Sequence, residues 1–213
     1  MFDFATTTRR TPAMTHLTEV AGGIVAGTKV ATQIGWRVVE AVAAGDLVLT
    51  FDGGLQVVTV VTRQTVRTMG RRADYATWPL TVPAGALGNR EAMTLIADQA
   101  VMVESDTAEA VFGDPFAMIP AAALDGFRGI YRTAPAEQIE IVTLHFAQDE
   151  VIFANIGALF FCPAQTDLLA APAAQTYHTL TADQADLLVQ FLAQEDRGHD
   201  ATQAARHAFR VAA

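Results

Sequence analysis

One cysteine and one serine stand in 213 residues, Cys162 and Ser105. A single thiol excludes an internal disulfide framework and a cysteine-rich zinc site. A single serine, outside any Gly-x-Ser-x-Gly turn, argues against serine-nucleophile hydrolysis. No apolar run approaches the ~20 residues of a membrane helix, and the first twenty residues lack the apolar core of a signal peptide. Glycine pairs occur at Gly22-Gly23 and Gly53-Gly54, but no G-x-G-x-x-G precedes a helix, so a dinucleotide site is not expected. The cytoplasm is the expected compartment, with leaderless export left open, and no membrane partner is expected.

Charge is scarce and uneven. Residues 1–90 carry nine basic and six acidic side chains, or +3, whereas residues 91–213 carry five basic and seventeen acidic, or −12. A net charge of −9 disfavours nucleic acid as a partner, because phosphate affinity comes from Lys and Arg. The one basic cluster, Arg63, Arg67, Arg71 and Arg72, reads as a solvated loop rather than a phosphate site.

Half of the residues, 51%, are apolar, enough for a sizeable core in one domain with appendages. The pattern from Lys29 onward is that of strands. Trp36–Val42 and Leu47–Phe51 flank the turn Ala43–Asp46, and Asp52-Gly53 predicts a type I′ hairpin into a long strand, Leu55–Val66. Gly70–Thr77 reads as a loop, and Trp78–Val82, Met93–Ile96 and Ala100–Glu104 as short strands. A short helix is predicted over Ser105–Phe112, with Ser105 or Asp106 as N-cap. Pro120–Leu124 reads as a single helical turn. Glu137–Phe146 and Glu150–Asn155 read as a hairpin about Ala147–Asp149, and Leu159–Cys162 as the last strand. Thr181 with Gln184 forms a capping box. Ala185, Leu187, Leu188, Phe191 and Leu192 then make an apolar stripe, with Gly198 expected to end the helix and a second helix over Ala201–Val211. The expected organisation is a flexible arm at 1–20, a β domain at 21–163, a linker at 164–180 and a helical segment at 181–213.

Three segments carry a resemblance: Gly23-Ile24-Val25-Ala26-Gly27-Thr28, Gly35-Trp36-Arg37-Val38-Val39-Glu40 and Gly45-Asp46-Leu47-Val48-Leu49-Thr50. They are similar to the opening of Hint (hedgehog/intein) domains of the bacterial branch, and Val82–Gly88 and Thr143–Asn155 continue the likeness, so that it spans about 22–163. The resemblance implies a mainly β, compact fold of paired hairpins, here with a short helical C-terminal appendage. It also implies autocatalytic peptide cleavage. A thiol or hydroxyl on the first residue attacks its own preceding carbonyl. A histidine in a Thr/Ser-x-x-His motif protonates the leaving nitrogen, and the hydroxyl polarises the scissile peptide.

This chain departs from that pattern. The nucleophile position is Gly23, and the Ser/Thr and His positions are Ala97 and Ala100, in Ala97-Asp98-Gln99-Ala100. No histidine lies between Asn89 and Leu144, so a slip in alignment restores nothing. The expectation is a Hint-type protein without self-cleavage, not an enzyme, acting as a binding or structural module with the C-terminal helix meeting a protein partner. The alternatives are self-cleavage by a displaced nucleophile, for which Cys162 and His145 are the weak candidates, and metal or small-ligand binding in the acidic region 98–114 through Asp98, Glu104, Asp106 and Glu109. Each has a plainer reading: a small core thiol, a structural histidine and a solvated acidic face. His199 and His207 lack the i, i+4 spacing of a zinc pair, and no cofactor is expected.

Overall fold

The computed structural model describes residues 22–165, 177 and 179–211, and side chains as far as residue 198. The arm at 1–20, most of the 164–180 linker and the side chains of His16, His178, His199 and His207 lie outside the described residues.

Strands dominate, as the alternation of apolar residues predicts. In chain order they are β1 (Ile24–Val25), β2 (Lys29–Thr32), β3 (Gly35–Val38), β4 (Leu47–Thr50), β5 (Gly54–Val57), β6 (Val60–Arg67) and β7 (Leu80–Val82). Then follow β8 (Met93–Leu95), β9 (Ala100–Glu104), β10 (Phe116–Pro120), β11 (Tyr131–Arg132), β12 (Gln138–His145), β13 (Glu150–Ala154) and β14 (Ala158–Cys162). An eight-stranded sheet runs β10-β9-β14-β13-β2-β4-β5, with β3 on β2. Two three-stranded sheets, β1-β12-β6 and β11-β7-β8, pack with it. Val30, Val48, Val101, Ile152 and Phe160 of the large sheet share one core with Val142, Leu144 and Phe146.

Four strand expectations need correction. Trp36–Val42 is strand only to Val38; Val39–Ala41 is a turn of 3-10 helix. There the Val39 N–H donates to the Thr28 carbonyl at 2.8 Å, and the Arg63 guanidinium donates to the Val42 carbonyl at 2.8 Å. The Asp52-Gly53 link is not a type I′ turn, because the positive φ falls on Gly54, at +66°. Thr50 pairs with Gly54 across a three-residue loop. Leu55–Val66 is two strands in two sheets. Val58 bonds back to Gly45 and Asp46, and the next residue, Thr59, donates to His145, so the backbone changes partner between adjacent residues. Lastly, Glu137–Phe146 and Glu150–Asn155 are not a hairpin. β12 pairs with β1 and β6, and β13 with β14, β2 and β4. From Ile141 on, β12 is apolar on both faces, with Ile139 and Ile141 in one cluster and Val142 and Leu144 in the main core, so its second half is buried between layers while Gln138 and Glu140 stay exposed.

The helical expectations rest on capping chemistry. Helix α1 (Asp106–Phe112) begins at Ser105, whose Oγ accepts from Thr107 N and Ala108 N, and ends at Gly113 in the left-handed conformation. Helix α2 (Ala182–Val211) begins at the capping box, with Thr181 N–H donating to Gln184 Oε1 at 3.0 Å. It runs through Gly198 to Val211 as one helix, not two. Glycine in a helix interior costs only about 1 kcal/mol against alanine, too little to stop a docked helix. Ala185, Leu188 and Leu192 are buried on the core. Glu195 accepts from Ser105 Oγ at 3.2 Å, and Arg128 holds Asp196 with paired bonds of 2.5 and 2.6 Å. Among the described residues no helix is long and apolar enough to cross a membrane.

Candidate functional site

Three chain segments that are distant in sequence converge at the start of β1. The Ile24–Val142 and Val25–Ile141 pairs place Gly23 beside Thr143 of β12. The turn between β8 and β9, closed by Gln99 N–H to the Ile96 carbonyl at 3.1 Å, brings in Gln99 and Ala100, while Ala97 packs against the main core. The end of β14 supplies Phe161, Cys162 and Pro163. Together with Gly22, Asp98, Leu144 and Thr179 these residues line a pocket of about 370 Å³.

Gln99 organises this pocket. Its side chain is buried. Its Oε1 accepts from the Gly23 N–H at 3.0 Å, and its Nε2 donates to the carbonyls of Ala100 at 2.7 Å and Phe161 at 3.2 Å. One amide thus ties the three segments together. Replacing it with leucine keeps the bulk and leaves these backbone groups without their side-chain partner. Gln99→Leu is expected to cost about 1–3 kcal/mol in urea unfolding. A loss under half of that would show that the amide is not a structural tie.

Gly23 has φ +131°, a conformation that side chains rarely adopt, and a Cβ there would lie 2.5 Å from Ile141 Cγ2 and 3.0 Å from Thr143 Oγ1. The position therefore lacks a nucleophile and also lacks the room for one. Ala97 and Ala100 present methyl groups, Ala100 packing with Met118 and Val151. Among the described lining residues there is no imidazole.

Cys162 ends β14, far along the chain, yet the fold brings it to the same pocket as Gly23. Its thiol is fully buried, and burial first, then the negative charge of Glu150, push its pKa well above the ordinary 9.0. The folded protein therefore keeps the proton while the unfolded chain gives it up near the ordinary value. Stability from this group is whole below about pH 9 and falls above it by up to about 1.4 kcal/mol per pH unit. We expect native Cys162 to resist a maleimide at pH 8, and Cys162→Ala to flatten the alkaline loss. Rapid labelling of the folded protein would contradict the buried thiol.

His145 does not line this pocket. Its carbonyl accepts from Thr59 Oγ1 at 3.0 Å, and its Nδ1 is buried without a hydrogen-bond partner among the described groups. The acidic residues are not gathered either. Asp98 lies in the turn before β9 and Glu104 at that strand's far end, so ~3.3 Å per residue sets them well apart. Asp106 and Glu109 sit in the first turn of α1, where carboxylates favour the helix dipole. Among the described residues no group of three His, Cys, Asp or Glu side chains is placed to hold one metal ion.

Sequence reasoning missed Gln99, Thr143 and Thr179 as pocket residues. Gln99 stood inside the quoted Ala97–Ala100 segment, but nothing in that segment signals that its amide reaches Gly23. Thr143, a hydroxyl among apolar neighbours on β12, was the one visible hint.

The Hint domain family matches residues 23–159, beginning on Gly23 itself. No curated protein matches the chain. Among solved structures it is similar to a bacterial intein-like domain from Clostridium thermocellum at 14% identity, covering 66% of this chain and 99% of that one, with a TM-score of 0.48. The gp41-1 intein has 13% identity over 65% of this chain and 98% of its own, with a TM-score of 0.41. The MchDnaB-1 intein has 15% identity over 63% and 98%, with a TM-score of 0.39.

Proposed function

The chain belongs to the Hint domain family, and from that premise we propose that it keeps the fold without self-cleavage, serving as a binding or structural module. The observation that carries this reading is Gly23. Cleavage by the family's route needs a thiol or hydroxyl there. This residue has no side chain, and Ile141 Cγ2 lies 2.5 Å from where a Cβ would stand. The leaving nitrogen also needs an acid, and Ala100 has none to give. A protein partner on the C-terminal helix is part of this reading, and it falls to the outward side of α2, where Leu187 is exposed.

A second reading has one observation in its favour: Cys162 lines the same pocket and is the only thiol in the chain. Against it, burial holds that thiol in its protonated form, which is the unreactive one. Intact-mass measurement separates the two. The purified chain, incubated for days with and without added thiol, is expected to keep its full mass. A fragment beginning at Gly23 would overturn the non-cleaving reading, and its loss in Cys162→Ala would identify the displaced nucleophile.

A further inference from the structure

Inside the large sheet, β9 and β14 share a ladder of only two residue pairs, Leu159–Met102 and Phe160–Val101. Beyond each end the strands part. At one end the Gln99 amide stands between them, its Nε2 donating to the Ala100 and Phe161 carbonyls. At the other end lies a second cavity of about 490 Å³, lined by Met102, Val103 and Glu104 of β9 and by Gly157 and Leu159 at the start of β14. The cause of this parting is Gly157. Continued pairing would set it opposite Glu104, but it is pressed against Gly88, where a Cβ would lie 2.1 Å from the Gly88 carbonyl oxygen.

The phase of the ladder decides which backbone groups face the gap. Leu180 N–H donates to the Met118 carbonyl at 2.8 Å, so Met118 turns its backbone groups away from β9. Met118 pairs with Met102, and in such a pair both residues turn outward, Met102 therefore toward β14. Ser105 N–H, bonded to the Pro115 carbonyl at 2.9 Å, keeps the same alternation. Glu104, two residues on from Met102, thus turns its N–H and C=O into the gap, where the ladder has already stopped. The walls are apolar. Phe51, Met102 and Leu159 belong to the cluster on one face of the sheet, Leu87, Phe127 and Leu192 to the core on the other, and all six line the cavity. Two charged side chains join them. Arg128 is held by Asp196 and the Ala86 carbonyl, and Glu104 disfavours an anionic ligand.

We propose that this gap binds a small, neutral, planar lactam or primary carboxamide carried on an aromatic body. An extended residue presents its N–H and C=O side by side, and the edge of such an amide presents an acceptor and a donor in the complementary order. The ligand carbonyl accepts from the Glu104 N–H and the ligand N–H donates to the Glu104 carbonyl. The amide thus takes the place in the ladder that Gly157 leaves. Its ring lies in the plane of the sheet, with one face on each apolar wall, in a cavity of the size that small ligands fill. Gln99 is the chain's own example of this arrangement, a planar amide set into the parting at the opposite end of the same ladder. The site shares no lining residue with the pocket around Gly23, so it stands whether or not the chain cleaves itself.

Amide NMR titrations of the full wild-type chain test this with two probes, isoquinolone, a flat bicyclic lactam, and its N-methyl derivative. The two differ in the one donor that the Glu104 carbonyl requires. Isoquinolone is expected to bind saturably, with the largest shift at the Glu104 amide and further shifts at the methyl groups of Leu159 and Leu192. The N-methyl derivative is expected to bind roughly tenfold more weakly, as loss of one buried hydrogen bond predicts. No saturable shift with isoquinolone overturns the proposal. Equal binding of the two probes would mean an apolar cavity without the ladder bonds, and overturns it too. Shifts centred on Gly23 and Thr143 would place the lactam in the other pocket, with the same consequence.

Discussion

Gly23→Cys, which restores the residue type that Hint cleavage begins with, is expected to destabilise the protein by about 2–5 kcal/mol and to release no fragment. Two costs add. The backbone at φ +131° strains any residue with a Cβ, and that Cβ meets Ile141 Cγ2 at 2.5 Å and Thr143 Oγ1 at 3.0 Å. Ile141 does not yield easily, since it is buried in a cluster with Val66, Ile96 and Ile139. Any shift that makes room also pulls the Gly23 N–H from Gln99 Oε1. Adding Ala100→His is not expected to rescue cleavage, because Gly23→Cys remains crowded by Ile141 and Thr143 and the imidazole would have to displace the packing of Ala100 with Met118 and Val151. Urea unfolding and intact mass are the measurements. Near wild-type stability in Gly23→Cys, or a fragment that starts at residue 23, would show that the pocket can still take a nucleophile.

The residue types at Gly23, Ala97 and Ala100 and the crowding around Gly23 are separate observations, and only the first was legible in the sequence. Gly23, Ala97 and Ala100 can be read against the family pattern residue by residue. That Ile141 and Thr143 crowd the vacated position depends on the pairing of β1 with β12, which joins residues more than a hundred positions apart. The same division runs through the fold. Ser105, the Thr181–Gln184 box and the strand limit at Cys162 are local chemistry and were legible. The change of sheet at Val58–Thr59 and the separation of β12 from β13 are set by which edge is free when each strand arrives. Asp52-Gly53 shows the intermediate case: the hairpin it signals is present, but the positive φ shifts by one residue to Gly54. Cys162 gives the opposite lesson, since its distance along the chain from Gly23 concealed that both line one pocket.

The largest single loss of stability is expected at Gly157→Ala, about 3–5 kcal/mol, or a fall in Tm of roughly 6–20 °C. A Cβ at Gly157 would lie 2.1 Å from the carbonyl oxygen of Gly88 and 2.8 Å from its carbon, and the residue's φ is +148°. The obstacle is backbone on both sides, so no rotamer relieves it. Nor can the turn drift away. Lys29 and Asn155 are bonded in both directions at 2.8 Å, Lys29 N–H to Asn155 Oδ1 and Asn155 N–H to the Lys29 carbonyl. The Arg90 N–H closes on the Asn155 carbonyl at 2.9 Å. Asn155 and Ile156 already hold positive φ values of 40° and 63°, a strain the surrounding bonds sustain. Gly85→Ala is the control. Its φ is +87° but nothing lies within 4 Å of a Cβ there, so only the conformational cost of about 1–2 kcal/mol applies. Equal losses at the two positions would mean that the Gly88–Gly157 approach contributes nothing. The expected difference also reaches the pocket, because Gly157 leads directly into β14, the strand whose Phe161 carbonyl accepts from Gln99. Loosening that turn frees one of the three segments that Gln99 holds around Gly23.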